Sequence, residues 1–160
     1  MKAITTLALS VLIAASSMFA GQAAANEYYG KQKVVYHINY DNPKQQAGAL
    51  RNIQNHINAV GAENLDLVVV LHGNGLSLLL DPASLEHLPK FKHANGDQVM
   101  TATVANLKNQ GVNFAICKNT MTGRKVELSD LYDVDEADIV PSGVAELSKL
   151  QQEGYTYVKP

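Results

Sequence analysis

The stretch "LDLVVVLHG" at residues 65–73 decides the fold. It is nearly continuous in apolar, β-branched residues. A strand that faces solvent on one side alternates apolar and polar positions; a run without alternation suits a strand covered on both faces, as in a parallel sheet. Such strands need crossover connections, and the sequence on either side supplies them. Before it, "DNPKQQAGALRNIQNHINAVG" (41–61) predicts a helix. Asn42 can cap it, and Pro43 suits its first turn. Ala47, Leu50, Ile53, Ile57 and Val60 recur every three or four residues as an apolar face, and Gly61 suits the stop. Upstream again, "KVVYHINY" (33–40) is β-branched and aromatic and predicts a strand. Two parallel strands joined by one helix form a right-handed βαβ unit.

The pattern continues downstream. "NGLSLLLDP" (74–82) fits either a helical turn or an extended piece, and "SLEHLPKFKHANGD" (84–97) predicts an irregular loop with a short turn. A helix follows over 98–111, with Met100, Val104 and Leu107 inward and Gly111 at its end. "VNFAI" (112–116) predicts a third strand, and "ADIVPSG" (137–143) holds a short fourth. Residues 142–154 predict a helix capped by Ser142, with Val144, Leu147 and Leu150 inward. "YTYVK" (155–159) ends the chain as a fifth strand. Strands alternating with helices imply one layered α/β domain with a mostly parallel sheet of about five strands.

The 160-residue chain carries a formal charge of −2. Residues 1–25 have the pattern of a secretory signal peptide: Lys2, an apolar stretch from Leu7 to Phe19, and Ala23–Ala25 as small residues at a cleavage site. Ser16, Ser17, Gly21 and Gln22 interrupt the run, which is too short for a comfortable membrane span. No second stretch is long enough to serve as an anchor. Cleavage near Ala25 would send a single domain, residues 26–160, to the periplasm, free of the membrane. Lys2 is the one basic residue lost, so 12 Lys and Arg would remain against 15 Asp and Glu. Without a basic face, tryptophan or interleaved aromatics, nucleic acid is excluded as the expected partner.

Ligands of an open parallel sheet bind beyond the carboxyl ends of its strands. That edge collects Asn39, Tyr40 and Asp41 from the first strand and His72, Gly73, Asn74 and Gly75 from the second. Cys117, Lys118, Asn119 and Thr120 come from the third, and Pro141 and Ser142 from the fourth. Cys117 is the sole cysteine, so no intramolecular disulfide is available to it. Three readings stand open: a buried filler, an intermolecular cross-link, or a reactive thiol. If "KNTMTG" (118–123) opens a helical turn, its free N–H groups and Lys118 would favour the thiolate. His72 reads either as a base or metal ligand beside Cys117, or as a strand-end residue bonded to a backbone group. His37, His56, His87 and His93 lack metal-ligand spacing, and no metal site or cofactor is expected. "HGNG" (72–75) is too short for a phosphate loop, with no Gly-Lys-Ser/Thr behind it.

Four stretches together resemble the DsrE/DsrF-like family, its exported members included: "QKVVYHINYDNPKQQAGALRNIQNHINAVG", "LDLVVVLHGNGLSLLL", "LKNQGVNFAICKNTM" and "DIVPSGVAELSKLQQEGYTYVKP". The most telling pieces are Gly111 followed by Cys117, and "VPSGVAELSKLQQEGY". The resemblance covers nearly all of the chain after residue 25. It implies a flavodoxin-like three-layer α/β/α sandwich assembled as a homo-oligomer, a trimer or hexamer. It also implies a persulfide carried on Cys117 and passed between sulfur donor and acceptor proteins. Asn39, His72, Asn74, Asn119 and Thr120 would then surround the sulfur. Two alternatives remain beside this sulfur carrier: a non-catalytic small-ligand or assembly module of the same fold, and a metal-binding protein using Cys117 with His72. Leu76, Leu78, Leu79 and Leu80 exceed what their segment needs for packing and are expected as an exposed patch, covered in an oligomer.

Overall fold

The computed structural model describes residues 28–160; residues 1–25, where a signal peptide is expected, lie outside them. Five strands form one all-parallel sheet: β1 (Gln32–Ile38), β2 (Leu65–Leu71), β3 (Asn113–Cys117), β4 (Ile139–Val140) and β5 (Thr156–Val158). Their order across the sheet is β4-β3-β2-β1-β5. The helices are α1 (Pro43–Val60), α2 (Gln98–Asn109), α3 (Lys118–Arg124) and α4 (Gly143–Gln152). The first three crossovers step one way across the sheet, and the last returns past β1. Because each crossover is right-handed, the return journey puts α4 on the opposite face from the others. The result is the flavodoxin-like three-layer α/β/α arrangement.

The two faces differ in depth. On one, Leu50, Ile53 and Ile57 of α1 and Val104 and Leu107 of α2 pack on Val34, Ile38, Val69, Leu71 and Ile116. Full burial of each such side chain is worth about 2 kcal/mol. On the other face, Leu147 and Leu150 of α4 cover Val35, Val70 and Ala115, with Val140 and Tyr155 packed against them. From Leu67 to Leu71 β2 is apolar without a break because Leu67, Val69 and Leu71 serve the first face and Val68 and Val70 the second.

The leucine segment departs from expectation. Residues Gly73–Leu78 form a 3₁₀ turn, and Leu76, Leu78, Leu79 and Leu80 are all fully buried in the larger core. They plug the space beyond the carboxyl end of β2, so they form no exposed patch and carry no argument for assembly. Tyr132 N–H bonds back to the Leu79 carbonyl, and Leu80 bridges antiparallel to Leu131.

Two helix faces are also corrected. Ala47 is exposed and Gln46 is buried in its place. The side chain of Gln46 is fully satisfied: Nε2 donates to the Tyr40 carbonyl at 2.7 Å and to Ser77 Oγ at 2.9 Å, while Oε1 accepts from Asn95 Nδ2 at 2.7 Å. A buried amide with such partners can displace an alanine from the inner stripe. In α4, Val144 is 65% exposed, not inward, because its side chain lies at the rim of an open crevice. Among the described residues, no helix is long and apolar enough to cross a membrane.

Candidate functional site

Side chains in a strand alternate faces. Val35, Val70 and Ala115 lie beneath α4. Two residues further along their strands come His37, His72 and Cys117, and Tyr157 stands in the same relation to Tyr155 of that layer. The α4 face therefore presents Cys117, His72, His37 and Tyr157 along the carboxyl edge, in the order β3, β2, β1, β5. The pairing of Ile116 with Leu71 sets His72 level with Cys117 on the neighbouring strand.

Cys117 sits where two connections part. The chain after β3 turns to the face of α1, while the chain after β4 turns to the other as α4. Such a topological switch opens a crevice at the sheet edge. Cys117 is buried and stands immediately before the first residue of α3. Burial pushes its thiol up, but a set of donors outweighs that. The Thr120 hydroxyl and the backbone N–H groups of Gly143, Thr120 and Asn119 converge on the sulfur and hold it below its ordinary range. Thr120 is itself fixed, since Oγ1 accepts from Gly73 N–H at 2.9 Å. Gly143 must be glycine for this approach: a Cβ there would lie 2.9 Å from His72 Cβ and 3.2 Å from Cys117 Cβ. Alkylation of Cys117 by iodoacetamide, followed against pH, is expected to show a midpoint below the free-thiol value of about 8.5. A midpoint at or above that value would mean that burial wins.

The predicted residues are not equivalent. Thr120 acts through its side chain, and Asn119 only through its backbone N–H, its side chain being exposed. Lys118 is exposed and is not among the groups that act on the thiol. Asn39 and Asn74 stand half-buried at the strand ends, near the site but not on the sulfur. The helix after Cys117 runs for seven residues, longer than the single turn expected. His72 meets neither a backbone group nor a metal set. Its Nε2 lies 2.7 Å from Nε2 of His37, whose Nδ1 lies 2.7 Å from the Tyr157 hydroxyl. The ring centroids of the two histidines are 4.7 Å apart at an interplanar angle of 22°. Because the nitrogens are closer than the centroids, the rings meet tip to tip in a hydrogen bond. Among the described residues, no three His, Cys, Asp or Glu side chains form a group able to hold a metal ion.

His37, Tyr157 and Gly143 escaped the sequence reading of the site. The alternation in "KVVYHINY" was the available signal, since it sets His37 on the face of Val35 and not that of Tyr36. Both imidazoles are kept neutral. Burial, the neighbouring His72 and Lys159 push His37 down to about 4; burial and Lys159 lower His72 as well. His56 is lowered by burial alone. An unfolded chain releases these rings, so between pH 6.5 and about 4 it binds more protons than the native one. Stability is therefore fully present above pH 6.5 and falls as the pH drops through that window. Chemical denaturation from pH 7 to 4 checks this; His37→Gln is expected to flatten the slope, and an unchanged slope would exclude His37 as its source.

Beside the imidazole pair lies an open crevice of about 690 Å³, walled by α4 through Val144, Leu147 and Gln151 and by Tyr157.

The sequence profile of the DsrE/DsrF-like family matches residues 32–160. The fold resembles that of a protein of unknown function, MTH1491, from Methanobacterium thermoautotrophicum. The TM-score is 0.65 at 27% identity, covering 81% of this chain and 100% of that one. It also resembles the ychN protein of E. coli, with a TM-score of 0.57 at 18% identity over 81% of this chain and 99% of that one. No curated protein matches the sequence. The family profile spans nearly all of the described residues, and the chain belongs to the DsrE/DsrF-like family.

Proposed function

We propose that this chain is a sulfur carrier that holds sulfane sulfur as a persulfide on Cys117. The observation that carries the reading is the convergence of four hydrogen-bond donors on one thiol at the sheet's carboxyl edge. A thiolate is the nucleophile in sulfur exchange. The Cys117 thiolate attacks the outer sulfur of a donor persulfide. A bond from Sγ to that sulfur forms, the donor's S–S bond breaks, and the donor sulfur leaves with the electron pair as a thiolate. An acceptor thiolate later repeats the attack on the outer sulfur of Cys117, restoring the free side chain. No electrons are gained or lost overall. Donor and acceptor are taken to be thiol-bearing proteins, met in the periplasm if residues 1–25 direct export, and the carrier a trimer or hexamer as the family resemblance implies. Intact mass before and after treatment with a low-molecular-weight persulfide tests the reading. Uptake of one sulfur atom, reversed by a thiol reductant and lost in Cys117→Ser, is expected. No uptake by the unsubstituted protein would overturn it in favour of a small-ligand module using the crevice beside α4.

A further inference from the structure

We infer that Tyr157, His37 and His72 form a proton wire that ends beside Cys117 and exchanges protons with the sulfur species passing through the site. Its function rests on the sulfur-carrier reading, but its existence does not. The two contacts, each 2.7 Å, run unbroken from an exposed phenol to the imidazole level with Cys117. The neutral state of both rings makes the chain directional. In one polarity the Tyr157 hydroxyl donates to His37 Nδ1, His37 Nε2–H donates to His72 Nε2, and the His72 proton left over sits on Nδ1. In the other, every proton has moved one bond along: His37 Nδ1–H donates to the Tyr157 oxygen, His72 Nε2–H donates to His37 Nε2, and His72 Nδ1 is bare. Nε2 of His72 is taken by His37, so Nδ1 is the atom left to meet a reactant.

The two polarities match the two halves of a carrier cycle. When Cys117 takes sulfur, the departing donor thiolate needs a proton, which His72 Nδ1 gives up. The protons then shift along the wire, and Tyr157, 40% exposed, recovers one from water. When an acceptor thiol takes the sulfur away, its proton enters at Nδ1 and the shift runs back, with Tyr157 returning a proton to water. One proton is donated and one accepted per cycle, and the wire ends as it began. Few charges disturb it. Lys159 and Tyr157 of the last segment and Cys117 are the titratable groups facing the pair; α4 presents Val144, Leu147, Ser148, Gln151 and Gln152, none of which titrates. On this reading His72 is the proton donor, and His37 and Tyr157 are positioning residues.

The test has two arms on the full chain. In the first, imidazole ¹⁵N NMR reads the tautomers of His37 and His72 without any sulfur donor. Tyr157→Phe removes only a hydroxyl from a half-exposed ring, so the fold should persist. It is expected to shift the tautomer balance of His72, which Tyr157 does not touch. An unaltered His72 spectrum would overturn the wire. In the second arm, the rate of sulfur uptake from a small persulfide is followed by mass. His72→Gln is expected to slow uptake about 10²-fold, the scale of a lost general acid, with the same final uptake of one sulfur, and Tyr157→Phe is expected to slow it less and to alter its pH profile. An unchanged rate in His72→Gln would overturn the proton-donor role. Absence of uptake in the unsubstituted protein would instead remove the sulfur reading, with the NMR arm still deciding the wire.

Discussion

Gly75→Ala is expected to remove a large part of the protein's stability. A Cβ at this position would lie 1.9 Å from the Ile38 carbonyl oxygen, 2.7 Å from its carbon and 3.1 Å from Asn39 Cα. No side-chain rotation relieves such an overlap, because every atom met is backbone. Ile38 ends β1 and pairs with Leu71 in the β1–β2 ladder, so it cannot retreat without breaking the centre of the sheet. Nor can the 3₁₀ turn that carries Gly75 lift away, because Leu76, Leu78 and Leu79 behind it are fully buried. The cost expected is about 4–5 kcal/mol, in the exceptional range for one substitution, and comparable to the whole stability of a marginal domain. Urea denaturation measures it. Gly123→Ala is the control, since nothing lies within 4 Å of its would-be Cβ and alanine favours the helical state. A Gly75→Ala variant within about 1 kcal/mol of the parent would show that the turn yields more easily than its packing implies.

The contrast between those two glycines shows what a sequence hides. "HGNG" reads as loop chemistry, and the reason for its second glycine is a carbonyl thirty-seven positions away in the chain. Regular elements were legible because their signals are local. The unbroken apolar run at 67–71, the Asn42–Pro43 start and the Ser142 cap each report on their own neighbourhood, and each stands where expected. The leucine segment misled for the complementary reason. Four leucines in a short, irregular stretch exceed what the stretch can bury by itself, so they read as surface. The core they fill belongs to β2, α1 and the 126–131 segment, and only the tertiary arrangement brings it over them.

The candidate site was legible in the same uneven way. The carboxyl-edge rule located Cys117 and His72, because strand ends can be counted from the pattern. It could not rank Asn39 and Asn74 below Thr120, since that depends on which loop folds back over the thiol. Thr120 is set by Gly73 N–H, a contact across 47 positions. His37 was visible as one member of an alternating strand, yet its importance comes from Tyr157, 120 positions later. Side-chain partners of that separation leave no periodic trace. Gln46 is similar: a polar residue on a helix reads as solvent-facing until Tyr40, Ser77 and Asn95 are found around it.

Gly143→Ala is expected to separate the stability of the site from its chemistry. Alanine is a better helix former than glycine by up to about 1 kcal/mol, and Gly143 opens α4 with unremarkable backbone geometry, so propensity alone predicts a gain. Packing opposes it. The added methyl would stand 2.9 Å from His72 Cβ and 3.2 Å from Cys117 Cβ, and both carbons are fixed to adjacent strands. The first turn of α4 must therefore move outward, at an overpacking cost of about 1–3 kcal/mol. That movement draws the Gly143 N–H away from the sulfur, and this N–H is one of the donors that hold the thiol below its ordinary range. The remaining donors, Thr120 and the Asn119 backbone, oppose burial with less support. The alkylation midpoint of Cys117 should rise toward or past the free-thiol value of about 8.5, and sulfur uptake at neutral pH should slow in proportion to the lost thiolate. The sign of the two effects is what matters: a modest loss of stability together with a higher midpoint. A variant that is destabilised but keeps the parent's midpoint would show that the α4 backbone does not tune the thiol, and that Thr120 and the α3 backbone suffice.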